Sequence, residues 1–440
     1  MKTNRIFASP SGSIVLLFVL IVLVAFVQEA SAQLVNGRFT TSVYTFEKFD
    51  TVNVSRSYLR AFQSAYLDVA QNDFSLHTHL QVAGTVRKTL DEEPDFRAYY
   101  LYARMKQIAK VIDLSLGRVP YYAGVGSGTL DGGLVRANLA GSAIRLALYG
   151  GARVPEDLTL SGWKSVDRNF VVGGQVLVTS LENARIGLSY VNKQRERLPY
   201  WTERPDSVYN PVSVYVIPNN LKEQYISADA DYTLSQTRFY GRYDFDANSS
   251  ETSRGQFRIS HSLSEAVILT GDFIHRAPRV AYNSFFAAFA TSSIDEFEAG
   301  VDYRFDPVWR VFGRGALVQY DDENSARFTV GVAQTFGGLT YRGGTGYAGE
   351  LHSISVYGAY PLLDRTLTPN ASLSFGSYRL SKDAPEDNAL ALAVGATYRP
   401  LPVLSIDLQL QDVSNKVLDS DIRFFGKVNF WFAERMSIFE

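Results

Sequence analysis

The sequence predicts an all-β chain, a membrane-crossing antiparallel up-and-down barrel of about 18 to 22 strands, with 22 the best count. Three observations carry that expectation. Segments of about ten residues alternate apolar and polar along nearly the whole chain, the pattern of a strand with lipid on one face and water on the other. Turn residues separate these segments in an order that reads short, then long. Long stretches of helical, 3.6-residue periodicity are nearly absent from a chain of 440 residues that is 46% hydrophobic.

The N-terminus indicates export. Lys2 and Arg5 precede the apolar run Ile14 to Val27, and Ala30-Ser31-Ala32 supplies small residues for cleavage, so residues 1–32 read as a signal peptide. The run is shorter than the roughly 18 residues a spanning helix wants. The single barrel domain is expected over 33–440. With no Cys, the chain forms no disulfide, thiolate metal site or Cys nucleophile, which suits an exported protein. Lys and Arg (43) nearly balance Asp and Glu (45), and this argues against a nucleic-acid partner, which needs a basic face.

The stretch 295–320, DEFEAGVDYRFDPVWRVFGRGALVQY, shows the strand pattern most clearly. Phe297, Ala299, Val301, Tyr303 and Phe305 share one face; Glu296, Glu298, Gly300, Asp302 and Arg304 share the other. Asp306-Pro307 breaks the run as a turn. The same reading places strands near 38–46, 57–69, 74–85 and 96–107, and onward to 403–413 and 421–432, with both termini at one end. Tight turns are expected at 234–236, 263–265, 306–307, 337–338 and 400–402, and longer connections at 156–169, 197–222, 280–293 and 321–325. Aromatic residues gather near strand ends, as at Tyr225, Trp309, Tyr398 and Phe430-Trp431-Phe432.

The segment 111–133, VIDLSLGRVPYYAGVGSGTLDGG, carries Leu116-Gly117-Arg118, a glycine-rich stretch and Leu130-Asp131-Gly132. It resembles a segment that recurs in bacterial outer-membrane porins and related substrate-export barrels. The resemblance implies an outer-membrane barrel, inserted by the barrel-assembly machinery among outer-membrane lipid, with homo-oligomers possible. The first expected strand begins soon after the cleavage site, which leaves no room for a plug domain of the usual length. One departure is the C-terminus: such barrels usually end on an aromatic residue that the machinery reads, whereas this chain continues past Phe432 with AERMSIFE, leaving Phe439 one place early.

Function then falls to the inward faces. Asp229, Asp231, Arg238, Arg242, Arg254, Arg258, Glu296, Glu298 and Asp302 are expected to line a pore for small polar solutes, with Asp229 and Asp231 meeting Arg238 and Arg242 across paired strands. The alternative is that these charges only brace and solvate the interior of a barrel that exports or scaffolds a polysaccharide or protein. The connection 197–222 holds four prolines with Tyr200, Trp201, Tyr209 and Tyr215, and is the candidate constriction loop, an external cap being the other reading. No cofactor and no metal are expected. His77 and His79 share an inward face but lack a third ligand. His261 stands beside Phe257 and Ile259 on the outward face, where a lipid-facing hydrolase would place its base, but no nucleophile signature accompanies it, so no enzymatic activity is expected. Gly124 to Gly128 lacks the Lys-Ser/Thr and helix of a phosphate cradle.

Overall fold

A computed structural model describes residues 33–436 except 52–53, 87–94, 161–164, 197–198, 206–209, 218–220, 279–291, 322, 347–348 and 382–383. The proposed signal peptide, Tyr209, the aromatic loop residues Tyr282 to Phe289 and the tail residue Phe439 all lie outside the described residues.

The strands in chain order are β1 (Gln33–Thr51), β2 (Val54–Gln71), β3 (Phe74–Thr85), β4 (Asp95–Ile108), β5 (Ile112–Ala123), β6 (Gly126–Leu139), β7 (Ile144–Arg153) and β8 (Phe170–Val178). They continue with β9 (Ala184–Arg195), β10 (Tyr200–Pro205), β11 (Pro211–Val216), β12 (Leu221–Leu234), β13 (Thr237–Asp246), β14 (Glu251–Ser262), β15 (Val267–Arg276) and β16 (Ile294–Arg304). The last eight are β17 (Arg310–Tyr320), β18 (Glu323–Gln334), β19 (Gly337–Gly346), β20 (Glu350–Ala359), β21 (Leu367–Arg379), β22 (Asp387–Leu401), β23 (Leu404–Ser414) and β24 (Asp421–Met436).

All but β10 and β11 form one 22-stranded antiparallel sheet in which neighbours in sequence are neighbours in space. The sheet closes where β1 pairs with β24, from Gln33↔Met436 to Tyr44↔Phe425, so no edge is left unpaired at the seam. The expected strand count and shared end for the termini are therefore observed. No helix among the described residues is long and apolar enough to cross a membrane.

The two faces separate cleanly. On β23, Leu408 and Leu410 are exposed on one face, while Ser405 and Asp407 on the other meet Asn429 and Lys427 of β24. Exposed Val301, Tyr303, Leu317, Val330, Leu392 and Val394 continue the apolar surface around the barrel. An apolar, exposed outer surface requires lipid, because water would make it a continuous aggregation site. Rings mark both ends of this band. At the end holding the termini Phe305 stacks on Trp309 (6.2 Å) and Phe336 meets Tyr360 (4.8 Å); toward the far end Phe273 meets Phe297 (4.7 Å). Tyr225 is buried on the inner face, in line with Ser227 and Asp229.

Connections at the terminal end are short throughout, as at 235–236 and 335–336. The far end mixes long and short, and 321–325, expected as a longer connection, is short, because β18 already begins at Glu323, paired with Tyr320. Asp321 in the left-handed region (φ 50°) starts the reversal. Gly337 and Gly338, expected as a turn, begin β19; the turn is 335–336.

Candidate functional site: the barrel lumen

A row of three glycines changes the shape of the lumen. Gly117, Gly132 and Gly151 face one another across β5, β6 and β7. A Cβ on Gly132 would lie 2.3 Å from the Gly150 carbonyl oxygen, and one on Gly151 would lie 2.5 Å from that of Asp131. Only bare backbone allows strands this close. Gly117 has φ +125°, and immediately beyond Arg118 the pairing of β5 with β4 stops. Beyond this row β5 and β6 continue as a hairpin whose inner face rolls onto the lumen wall of β7 to β9 and β12.

The contact is a small apolar core inside the barrel. Val119, Tyr121, Ala123, Leu130 and Leu134 of the hairpin bury themselves with Tyr149, Val171, Val191 and Tyr225. Tyr121 stacks on Tyr149 with ring centroids 4.3 Å apart. At the tip, the Val125 amide donates to Ser189 Oγ at 2.9 Å, and Gly126 sits against the Tyr149 hydroxyl. The opposite face of the hairpin leaves Tyr122 exposed.

Rolling the hairpin inward would open the wall between β4 and β5. The connection after β7 fills that gap: the Ala98 amide donates to the Leu158 carbonyl at 2.9 Å. Arg118 locks the arrangement. Its guanidinium donates to both oxygens of Asp131 (2.8 and 2.9 Å) and to the carbonyls of Ala98, Leu158 and Thr159 (2.8 to 2.9 Å). The side chain is 2% exposed, and its charge is compensated by the carboxylate and three carbonyl dipoles. The Leu-Gly-Arg and Leu-Asp-Gly segments thus build the hinge and its lock. At the rim of the same connection Arg168 donates to Glu196 at 2.6 Å, and that carboxylate raises the guanidinium further above its ordinary pKa.

The described part of the segment 197–222 forms two further strands. β10 and β11 form a separate two-stranded sheet, paired from Tyr200↔Val216 to Pro205↔Pro211. Tyr200, Trp201 and Tyr215 are exposed, Trp201 against Tyr215 at 5.0 Å. Among the described residues, the element packed inside the barrel is the β5–β6 hairpin.

The charged residues singled out from sequence share the inner face of β12 to β16, but several pair differently from expectation. Asp231 does meet Arg238, whose Nε donates at 3.0 Å. Asp229 lies opposite Arg242 in register, yet it accepts from Arg185 of β9 (2.8 Å), while Arg242 turns to Asp244 of its own strand (2.8 and 3.0 Å). Arg254 donates to Gln256 (2.5 Å) and Arg258 pairs with Asp272. Glu296 pairs with Arg327, Glu298 with Arg327 (3.5 Å) and Arg314 (3.9 Å), and Asp302 with Arg310 and Arg314 (both 3.6 Å). The basic partners Arg185, Arg310, Arg314 and Arg327 and the acids Asp244 and Asp272 complete a lattice of alternating sign. Their own strands show the alternation that would have exposed them in sequence.

Across β19 to β23 the inner face carries more small and uncharged residues, among them Thr340, Ser355, Ser374 and Ala391 in register, with Ser374 donating to Ser355 at 2.9 Å, and fewer charges, Arg342 and Asp407 among them. His77 and His79 do share the inner face of β3, where both stack on tyrosines of β4. No group of three His, Asp or Glu able to hold a metal occurs among the described residues. On the outer face His261 Nδ1 lies 2.9 Å from the Thr237 hydroxyl.

No protein-family model and no curated protein sequence matches the chain. Solved structures do. Two mutant forms of the ferric enterobactin receptor (PfeA) from Pseudomonas aeruginosa superpose with TM-scores of 0.52 and 0.54 at 10% identity, covering 90% of this chain and 80% of theirs. The shared fold is a closed antiparallel β-barrel. Pseudomonas aeruginosa OccK5 (OpdH) aligns over 91% of this chain and 98% of its own at 10% identity, with a TM-score of 0.41.

Proposed function

We propose that the chain is a porin-like channel of the bacterial outer membrane, passing small hydrophilic solutes by passive diffusion without making or breaking a bond. The observation that carries this reading is the wet, charged lattice on the inner face of β12 to β18. Inside a closed sheet, Arg238 remains 66% exposed and Arg258 55%, although each is paired with a carboxylate. Exposed charges enclosed by a barrel need a water-filled lumen, since drying them would cost several kcal/mol per ion. The end with both termini would face the periplasm, and the apolar belt would face outer-membrane lipid. Insertion by the barrel-assembly machinery and assembly into homo-oligomers belong to the same reading.

In that channel the narrowing element is the inward β5–β6 hairpin, with β10 and β11 standing as an external flap. Asp229, Asp231, Arg238, Arg242, Arg254, Arg258, Glu296, Glu298 and Asp302 line the passage as one charged sector, beside the more sparsely charged sector of β19 to β23. The field of these fixed charges orients passing dipoles. Planar-bilayer recording of the purified protein tests the reading. Stable unitary steps, ohmic in KCl, are expected; a folded, inserted barrel that carries no current would overturn it in favour of an export or scaffold barrel for a polysaccharide or protein.

A further inference from the structure

The inner face of β1 to β6 differs from the rest of the lumen. In register across four strands stand Arg38, Tyr66, His79 and Tyr100. The Arg38 guanidinium lies 4.1 Å over the Tyr66 ring, Tyr66 stacks on His79 at 3.8 Å, and His79 stacks on Tyr99 at 4.3 Å. His77 and Tyr102 stack beside them at 4.8 Å. A bulge in β4 between the partners of His79 and Leu80 brings Tyr99 into this stack alongside Tyr100.

Donors outnumber acceptors here. Asp68 is taken by His77 (2.7 Å), Asp113 by Arg104 (2.6 Å), and Asp95 by Arg60 and Arg97. Arg38 and Arg136 have no carboxylate partner among the described residues. The buried Nε atoms of Arg38 and Arg104 and Nε2 of His79 likewise have no hydrogen-bond partner among them. Along β12 to β18, by contrast, most lumen arginines are mated to carboxylates, Arg254 with its Gln256 partner being the exception among those named above. The strip is therefore poised to accept negative charge.

The spacing of the rings selects further. Centroids about 4 Å apart leave no slot for another ring, so a solute meets ring edges and phenol hydroxyls rather than free aromatic faces. Such a surface suits a molecule covered in hydroxyls.

Resting on the channel reading, we propose that this strip is a binding track for sugar acids, polyhydroxylated ring carboxylates of the hexuronate kind. The carboxylate engages Arg38, the ring hydroxyls exchange hydrogen bonds with Tyr66, Tyr99 and Tyr100, and Arg136 continues the attraction toward the hairpin.

The test is calorimetry of the full chain in detergent with D-glucuronate, D-glucose and benzoate at matched ionic strength, paired with bilayer recording of the same preparations. Glucuronate is expected to bind at least about tenfold more tightly than either comparison solute, the ratio expected for one charge-assisted hydrogen bond. Arg38→Gln should remove about that factor, with heat-modifiable mobility and KCl conductance retained; Arg342→Gln, at a lumen arginine on β19, should leave it in place. Equal binding of glucose and glucuronate, tighter binding of benzoate, or indifference to Arg38→Gln would overturn the proposal. Because binding is read without current, a protein that binds glucuronate but shows no unitary steps refutes the channel and retains the track, and steps without glucuronate preference do the reverse.

Discussion

Arg118 and Asp131 face each other across β5 and β6 as a two-pronged pair, Nε to Oδ1 at 2.8 Å and Nη2 to Oδ2 at 2.9 Å, at the point where the hairpin leaves the wall. Three further carbonyls close on the same guanidinium, so the side chain joins β4, β6 and the connection after β7. Arg118→Ala strands a largely buried carboxylate together with the carbonyls, an effect of about 3–5 kcal/mol. The temperature at which the barrel loses its heat-modifiable gel mobility should fall. Arg118→Lys should recover little, because one ammonium cannot reproduce the planar fork.

The glycine row makes a sharper claim about shape. In Gly132→Ala the new methyl meets backbone at 2.3 and 2.6 Å, and backbone cannot rotate away. The hairpin can then no longer lie against Tyr149 and Val191. Single-channel recording should show larger or noisier unitary conductance than wild type. Unchanged conductance in a folded variant would remove the hairpin from the role of constriction.

How much of this could be read from sequence depends on which force sets each feature. Strand count and face assignment were legible because lipid outside and water inside impose a period of two, seen in Phe297 to Phe305 against Glu296 to Arg304. The ion-pair partners were not, since they depend on register and rotamer: Asp229 stands opposite Arg242 and bonds Arg185 instead. The inward hairpin was illegible for another reason. Gly117, Gly132 and Gly151 become a bend only when three strands bring them into one row, and single-strand alternation continues through the bend undisturbed.

The face assignment predicts opposite outcomes for neighbours in sequence. Leu408, 51% exposed on the outer face at the middle of β23, and Gln409, on the inner face opposite Phe425, differ by one position. Leu408→Arg places a charge in hydrocarbon near the midplane and should destabilise the barrel by about 2–4 kcal/mol. Gln409→Arg should fold normally and raise anion preference in a salt gradient. Urea titration in lipid vesicles measures the first, and reversal potential the second.

Ion selectivity should depend on the lattice as a whole rather than on one ring of charge. Arg242 and Arg258 are tied to Asp244 and Asp272, so replacing both arginines by Ala removes two positive charges from beside these carboxylates. The balance of the lattice turns negative by two charges, and the reversal potential should shift toward cations. The shift should shrink between 0.1 and 1 M salt, as the screening length falls from about 10 to about 3 Å. Replacing Asp272 by Asn in the same background restores part of the balance and should move selectivity back. If the triple variant were as cation-preferring as the double, the filter would lie outside this sector, and the strip at Arg38 would be the next place to look.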